Sequence, residues 1–215
     1  MLKAVLWDMD GTLVDSERLH WLAWKEVMDA EGVAITYKQF RDTFGQRNDT
    51  IIPLFLGGDA AAGTVARIND AKEATYRRLV REGGIAAIEG AVEWVKRLHA
   101  GGWRQAIASA APHANIDVIL DVLDLQACFE ASVAAEDVEH GKPDPQVFLL
   151  AAERLGVAPS RSIVVEDGRA GIEAARRAGM RCIGLSRDGR ELAADIVVRS
   201  FKDLAEAAFE KLLEV

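Results

Sequence analysis

The 215-residue sequence has few of the features that mark special classes of protein, and each absence argues against one such class. Its two cysteines, Cys128 and Cys182, are isolated, which argues against a disulfide framework or a cysteine-rich metal cluster and favours a reducing cytoplasm. No apolar run approaches the ~20 residues of a membrane span, so we expect no membrane partner. The N-terminus leads straight into a strand-like segment, and we therefore expect no signal peptide.

The sequence also lacks an excess of basic residues. Lysine and arginine number 26 against 34 aspartates and glutamates, which gives a net charge of −8, and no basic stripe is present. A nucleic-acid partner is therefore not expected. Half of the residues are hydrophobic and 28% are charged, and repeats and low-complexity tracts are missing. This composition is typical of a globular protein, which we expect to be a monomer.

The most informative stretch is at the start of the chain. Leu2–Trp7 is short and apolar, as expected for a strand buried in a parallel sheet, and Asp8, Asp10 and Gly11 follow it. Residues two apart in an extended chain point to the same side, so both carboxylates share one edge. Two such charges favour a proton or a cation between them, and Mg²⁺ suits the oxygen ligands. The pair indicates an aspartate nucleophile beside an aspartate acid/base.

The stretch Asp8–Leu13, Asp-Met-Asp-Gly-Thr-Leu, resembles the signature of the haloacid dehalogenase-like superfamily of aspartate-nucleophile phosphotransferases. Taken alone, the same stretch could be an acidic turn after a core strand. The rest of the chain provides the context that distinguishes the two interpretations.

Residues 16–84 have a helical pattern without a convincing strand. Thr36 and Gln39 form a predicted capping box that opens one helix, and a long helix capped by Asp59 is predicted over 59–82. This segment is therefore predicted to be an all-helical domain inserted after the first strand.

From residue 85 onward, short apolar strands alternate with helices. This alternation predicts an α/β fold with a doubly wound parallel sheet, a Rossmann-like core formed by residues 1–15 and 85–215. Asp144 followed by Pro145 predicts the start of one of its helices. A closing helix is predicted over 201–213.

Ligands of such sheets bind beyond the carboxyl ends of the strands. Ser109 ends one predicted strand, and a hydroxyl at a strand-to-helix junction can hold a phosphoryl oxygen, although an isolated serine is more often a helix cap. The rule brings together five candidates at one edge: Asp8, Asp10, Ser109, Glu166 and Asp167.

Lys142 precedes a predicted helix and stands between Gly141 and Pro143. A lone loop lysine is usually solvated. Here the neighbouring residues restrict the backbone, and a fixed cation would balance the carboxylates and a phosphoryl group.

The pair Glu166 and Asp167 follows a very apolar strand, where two charges are costly unless they meet a cation. We expect Asp167 to be the main protein ligand of Mg²⁺ together with Asp8, with the Asp10 carbonyl as a third ligand. Glu166 is expected to support the metal site by orienting waters or Lys142. The alternative is a pair of solvated loop acids.

The order of these four stretches extends the resemblance to most of the chain. Gly141–Pro145 and Glu166–Met180 resemble the branch that contains phosphoglycolate-type phosphatases and β-phosphoglucomutases, which carries a helical cap domain after the first strand. Gly168 departs from the family, where serine or alanine is commoner.

The resemblance implies a mechanism. Asp8 would attack phosphorus, and Asp10 would protonate the leaving oxygen and then activate water or a hydroxyl. Dehalogenase chemistry is disfavoured because it needs no general acid, whereas Asp10 is present. Lys142 and Ser109 would stabilise the transition state, and further groups expected to bind the substrate at this edge are Gly11, Thr12 and Ala110.

Candidate substrate-binding residues also occur in the helical domain. His20, Trp24 and Lys72 resemble residues of β-phosphoglucomutases, although the aromatic residues and the histidine could equally be core residues. Those enzymes have an arginine for a distal phosphate where this chain has Asn48, and Arg47 is adjacent.

We expect a Mg²⁺-dependent phosphatase of small phosphorylated metabolites, sugar phosphates first among them. The alternative within the family is a β-phosphoglucomutase-like phosphomutase. The alternative from another class is a catalytically weak phosphate-binding protein on the same fold.

Overall fold

The computed structural model describes residues 2–214, which divide into two compact units. One unit combines the described residues up to Asp15 with those from Ala86 onward, and we call it the sheet unit. The other, the helical unit, is Ser16–Ile85. The sequence-based boundaries lie within one residue of this division.

The sheet unit contains a six-stranded parallel sheet in the order β3-β2-β1-β4-β5-β6. The central strand β1 pairs with β2 on one side and β4 on the other, with Trp7 opposite Ile107 and Val165. The topology confirms the predicted doubly wound sheet. The strands are β1 (Ala4–Trp7), β2 (Arg104–Ala108), β3 (Ala131–Val133), β4 (Ser162–Glu166), β5 (Arg181–Leu185) and β6 (Ile196–Val198).

Both units contain α-helices. The helices are α1 (Glu17–Ala30), α2 (Tyr37–Thr43), α3 (Asn48–Leu56), α4 (Ala62–Gly83), α5 (Ala91–Ala100), α6 (His113–Leu123), α7 (Gln146–Arg154), α8 (Arg169–Arg177) and α9 (Ala208–Leu212). The helix α7 begins directly after Pro145, which occupies the N-cap position predicted for Asp144; the Asp144 carboxylate accepts a hydrogen bond from Gln146 N at 2.9 Å, one residue before the cap.

Both faces of the sheet are covered, because side chains alternate along each strand. Ala4 and Leu6 belong to a core cluster with α7 and α8. Trp7 points to the other face, where it donates a hydrogen bond to Gln105 Oε1 at 2.9 Å and packs edge-on against Phe201. Burial on both faces explains why β1 is continuously apolar.

The predicted closing helix over 201–213 is wrong. The chain forms a single 3₁₀ turn at Phe201–Asp203 and then the short helix α9. Phe201 packs against Trp7, whereas Phe209 packs against Trp94 and Trp103. Leu204 is in an extended conformation, which interrupts the helix between the two aromatic residues.

The helical unit has its own apolar core, formed where α4 packs against α1 and α3. The predicted capping box is confirmed: Thr36 Oγ1 accepts from Gln39 N, and Gln39 Oε1 accepts from Thr36 N. The long helix begins at Ala62 rather than being capped by Asp59, because Gly57 and Gly58 have positive φ and the chain is still extended at Ala61.

Within residues 2–214, none of the helices combines the length and the apolarity that crossing a membrane requires. Cys128 and Cys182 are both buried free thiols, as the sequence predicts.

Candidate active site

Four of the predicted site residues stand at the carboxyl ends of neighbouring strands. Asp8 follows β1 directly, and its backbone N–H donates to Val165 O at 3.0 Å, which continues the ladder to β4. Glu166 is the last residue of β4, and Asp167 follows it. Ser109 follows β2. The parallel sheet thus brings chain segments that are distant in sequence to one edge.

A lysine from a distant loop binds two of these carboxylates. Lys142 Nζ lies 2.6 Å from Asp8 Oδ1 and 2.8 Å from Glu166 Oε1. The side chains are buried, with 11% of Lys142 and of Asp8 and 4% of Glu166 exposed. We call the set Asp8, Lys142, Glu166 and Asp167 the acidic cluster.

Residues of the segment that follows β1 hold Asp167 in place. Thr12 Oγ1 donates to Asp167 Oδ1 at 3.3 Å. Gly11 has φ +88°, and a Cβ at that position would lie 2.6 Å from Asp167 Oδ2. Only glycine leaves room for this carboxylate, which explains why the sequence has glycine after the aspartate pair.

Glu166 is fixed by its backbone surroundings as well as by Lys142. Its Oε2 accepts a hydrogen bond from Gly168 N. A Cβ on Gly171, in the first turn of α8, would lie 1.9 Å from Glu166 Oε1. Gly171 is therefore a supporting residue that the sequence analysis missed, and a glycine inside a helix so close to the acid pair was the available signal.

The charges of the acidic cluster are unbalanced. Burial raises the pKa of Asp8 well above its ordinary value of 3.8; Lys142 opposes this shift, and Glu166 and Asp167 add to it. Burial, together with Glu166, raises the pKa of Asp167 to about 6. Burial alone would lower the pKa of Lys142, but Asp8 and Glu166 raise it above its usual 10.5. The acidic cluster thus contains three carboxylates and a single ammonium, that of Lys142.

This donor set suits a hard divalent cation. Asp8, Glu166 and Asp167 each offer an oxygen, and the three oxygens lie within 4.8 Å of one another. Carboxylate oxygens are preferred ligands of Mg²⁺, and the excess negative charge favours a cation over a neutral ligand. The residues therefore fit the expected metal.

The remaining predicted residues of the sheet unit have other described contacts. Asp10 lies beyond β1 in a bridge with Val14. Ser109 is buried, and its Oγ accepts from Ala111 N at 3.0 Å, which closes the turn after β2. Ala110, between them, is exposed. Roles for these three residues in binding a phosphoryl group stay predictions.

The helical unit contains a second buried polar cluster. Lys72 Nζ lies 2.9 Å from His20 Nδ1 and 2.7 Å from Glu73 Oε1. Asn48 Nδ2 donates to Glu73 Oε1 at 2.6 Å. We call His20, Asn48, Lys72 and Glu73 the lysine cluster. Only 2% of Lys72 and 5% of Glu73 are exposed, although both lie on an otherwise amphipathic helix.

The two candidates for binding a distal phosphate, Arg47 and Asn48, have different surroundings in the structure. Asn48 belongs to the lysine cluster, whereas Arg47 is partly exposed and pairs with Asp49 at 3.2 Å. Trp24 is buried in the apolar core, and the Lys72 ammonium lies 5.5 Å from its ring centroid. Glu73 was missed, because a glutamate in a long charged helix usually faces solvent.

Over most of its length the chain is similar to known proteins. A family model described as haloacid dehalogenase-like hydrolase matches residues 2–179. A phosphorylated carbohydrates phosphatase from Thermotoga maritima is 31% identical over 186 residues, which cover 85% of this chain and 84% of the relative. Hexitol phosphatase B from Escherichia coli is 32% identical over 214 residues, covering 94% of this chain and 93% of the relative.

Solved structures agree with this similarity. The crystal structure of CbbY from Rhodobacter sphaeroides in complex with phosphate superimposes with a TM-score of 0.89 at 31% identity. The match covers 98% of this chain and all of that one, so it includes both the sheet unit and the helical unit.

Proposed function

Because the chain belongs to the haloacid dehalogenase-like hydrolase family, we propose that it is a Mg²⁺-dependent phosphatase of small phosphorylated metabolites, in particular sugar and sugar-alcohol phosphates. The reaction class is phosphoric monoester hydrolysis. The observation that carries the proposal is the contact of Lys142 Nζ with Asp8 Oδ1 at 2.6 Å, inside a buried cluster with two further carboxylates.

In the proposed mechanism, Asp8 is the nucleophile. One of its carboxylate oxygens forms a bond to phosphorus while the bond from phosphorus to the substrate oxygen breaks, and Asp10 gives that oxygen a proton. Asp10 then takes a proton from the water that attacks the aspartyl-phosphate, which releases phosphate and restores Asp8.

Lys142 has two tasks in this scheme. A buried carboxyl tends to be protonated and is then a poor nucleophile, and the adjacent ammonium opposes the rise in the pKa of Asp8 that burial causes. The same ammonium is fixed by Glu166, so it is already oriented when negative charge spreads over the phosphoryl oxygens.

Mg²⁺ would be held by the carboxylates of Asp8 and Asp167 and by the Asp10 carbonyl, with Glu166 next to them. When bound, it supplies positive charge that stabilises the phosphoryl oxygens in the transition state. The Ser109 hydroxyl would hold another of these oxygens. The remaining groups proposed to contact the phosphoryl group are those of Gly11, Thr12 and Ala110.

We assign substrate selection to the lysine cluster. Lys72 is already paired with Glu73, and Asn48 and His20 add further polar groups. Such a cluster suits the hydroxyl groups of a sugar better than a second phosphate. Arg47 and Trp24 remain further candidates for substrate contacts.

The charge balance of the lysine cluster also favours a phosphatase over a phosphomutase. A mutase must hold a bisphosphate, whose second phosphate needs a surplus of positive charge. The lysine cluster has none, because the one carboxylate of Glu73 offsets the ammonium of Lys72. The monomeric state, the cytoplasmic location and the absence of nucleic-acid and membrane partners stay predictions.

The proposal is tested by measuring phosphate release from p-nitrophenyl phosphate and a panel of phosphorylated metabolites in the presence of Mg²⁺. We expect turnover by the wild type and a loss of at least about a thousandfold in Asp8→Asn, because the nucleophile is removed. Asp121→Asn, on the exposed side of α6, is the matched control and should keep full activity. A wild type that hydrolyses no phosphoester would favour the phosphate-binding protein instead.

A coupled assay separates the mutase. β-Glucose 1-phosphate is supplied with a priming bisphosphate, and glucose 6-phosphate and free phosphate are both measured. Formation of glucose 6-phosphate without an equivalent of free phosphate would contradict the phosphatase proposal and favour a phosphomutase.

A further inference from the structure

The three carboxylates of the acidic cluster are not neutralised by the same group. Lys142 Nζ contacts Asp8 and Glu166, and the closest described cationic group to Asp167 is the guanidinium of Arg190. Arg190 Nη2 lies 3.9 Å from Asp167 Oδ2. The side chain of Arg190 is 46% exposed and that of Asp167 is 22% exposed, so the contact is at the open side of the cluster.

The loop after β5 holds Arg190 in this position. Ser186 Oγ donates to Arg190 O at 2.5 Å, and Gly189 N donates to Ser186 O at 3.1 Å, which closes a tight turn. The Asp188 carboxylate accepts from both N and Nε of Arg190, at 3.1 and 3.2 Å. These bonds engage Nε and the backbone and leave Nη2 on the side of Asp167.

Asp167 cannot easily turn away from this guanidinium. Thr12 binds its Oδ1, and Gly11 lies directly beneath its Oδ2. The oxygen that faces Arg190 therefore belongs to a fixed carboxylate, and this carboxylate is one of the three that could hold a divalent cation.

We propose that Arg190 is a positioning residue that partly neutralises and holds Asp167 when no divalent cation is bound, and thereby lowers the affinity of the acidic cluster for that cation. The inference rests on the Mg²⁺ site of the proposed function. A cation that binds Asp167 must work against the positive charge of Arg190, which the hydrogen bonds of Ser186 in the turn after β5 keep close. The arginine thus makes metal binding more readily reversible.

The test measures Mg²⁺ binding to the metal-free protein by isothermal titration calorimetry, with Mn²⁺ binding by electron paramagnetic resonance as a second readout. In Arg190→Gln we expect the dissociation constant of Mg²⁺ to fall by about three- to tenfold, because the positive charge 3.9 Å from Asp167 Oδ2 no longer opposes a cation at this partly exposed carboxylate. Arg190→Lys should change it less, and high salt should reduce the difference.

Arg177→Gln is the matched control. It removes an arginine of similar exposure, 49% for its side chain, that pairs with Glu173 near the other end of α8. Its dissociation constant for Mg²⁺ should stay within about twofold of the wild type. An Arg190→Gln protein with unchanged or weaker Mg²⁺ binding would overturn the proposal.

Asp188→Asn provides a second and opposite test. It removes the other carboxylate partner of Arg190, so the guanidinium should turn further towards Asp167 and weaken Mg²⁺ binding by about twofold. Unchanged or tighter binding in Asp188→Asn contradicts the proposal. None of these titrations requires an active enzyme. If the wild type and the variants bind Mg²⁺ in the expected order but the protein hydrolyses no phosphoester, the inference about Arg190 stands and the proposed function is rejected.

Discussion

The acidic cluster and the lysine cluster are both buried and both built around a lysine, yet their charge balance differs. In the acidic cluster Lys142 contacts two of the three carboxylates and Arg190 lies 3.9 Å from the third, whereas in the lysine cluster Lys72 contacts the single carboxylate of Glu73. Buried charge is costly unless it is compensated. The acidic cluster therefore keeps an excess of negative charge that a further cation would compensate, whereas Lys72 and Glu73 compensate each other. We infer that the first performs chemistry and the second selects substrates.

The largest effect should follow from removing the lysine of the acidic cluster. In Lys142→Gln, we expect turnover to fall by about a hundred- to a thousandfold, because the fixed charge beside the nucleophile is lost. Without metal, the free energy of unfolding should fall by about 3 kcal/mol, since buried carboxylates lose their partner. Denaturant unfolding with and without Mg²⁺ measures this, and Mg²⁺ should restore part of the loss.

Lys96→Gln, on the exposed side of α5, is the control for a simple loss of positive charge. It should leave both turnover and unfolding unchanged. If Lys142→Gln resembled Lys96→Gln, the acidic cluster would not depend on its ammonium and the contrast between the two clusters would fail.

The lysine cluster should behave as a balanced pair. Lys72→Met should lower the free energy of unfolding by about 3 kcal/mol, because Glu73 is left buried and uncompensated. The double variant Lys72→Met with Glu73→Leu should regain most of that loss. Urea unfolding of the single and double variants checks this. Arg78→Gln, at an exposed ion pair with Glu26, should cost at most about 1 kcal/mol.

The same cluster offers a test of substrate selection. Glu73→Gln leaves the charge of Lys72 uncompensated, so kcat/KM should rise for sugar bisphosphates relative to monophosphates and stay similar for p-nitrophenyl phosphate. Equal changes on all three substrates would mean that the lysine cluster only stabilises the helical unit.

The smallest effect concerns pH. Because the pKa of Asp167 is raised from 3.8 to about 6, the folded metal-free protein holds this proton more tightly than the unfolded chain. The resulting stability is fully present below about pH 4 and is lost as the pH rises through about 6. Asp167→Asn should therefore be more stable than the wild type at pH 7 without metal, by on the order of 1–2 kcal/mol after solvent screening.

Thermal unfolding of both proteins at several pH values, in the presence of a chelator, measures this difference. A wild-type advantage at pH 7 without metal would show that Asp167 is compensated within the sheet unit, and the acidic cluster would then be as balanced as the lysine cluster.

Much of the fold and the acidic cluster could be predicted because the signals are local. Asp8, Glu166 and Asp167 each follow an apolar strand, and one topological rule places all strand ends at one edge. The contacts of Lys142 were harder to predict from the sequence, because Lys142 is separated from Asp8 by 134 positions. Only the need to compensate several carboxylates pointed to it.

The features that the sequence did not reveal depend on packing between distant segments. Glu73 gives no sign that Asn48 will bind it from 25 positions away. Arg190 is one of several arginines near the end of the chain, and only the turn after β5 directs it to Asp167. The break in the predicted closing helix depends on where Trp7 and Trp94 lie in the sheet unit.

The most direct measurement of the central claim is chemical trapping of the phosphorylated enzyme. The protein is mixed with a substrate and Mg²⁺, quenched in acid and treated with borohydride, which reduces an aspartyl-phosphate, and the modified residue is mapped by mass spectrometry. The account predicts modification at Asp8 and none in Asp8→Asn. Modification of a different residue, or an unmodified Asp8 in protein that is turning over, would contradict it.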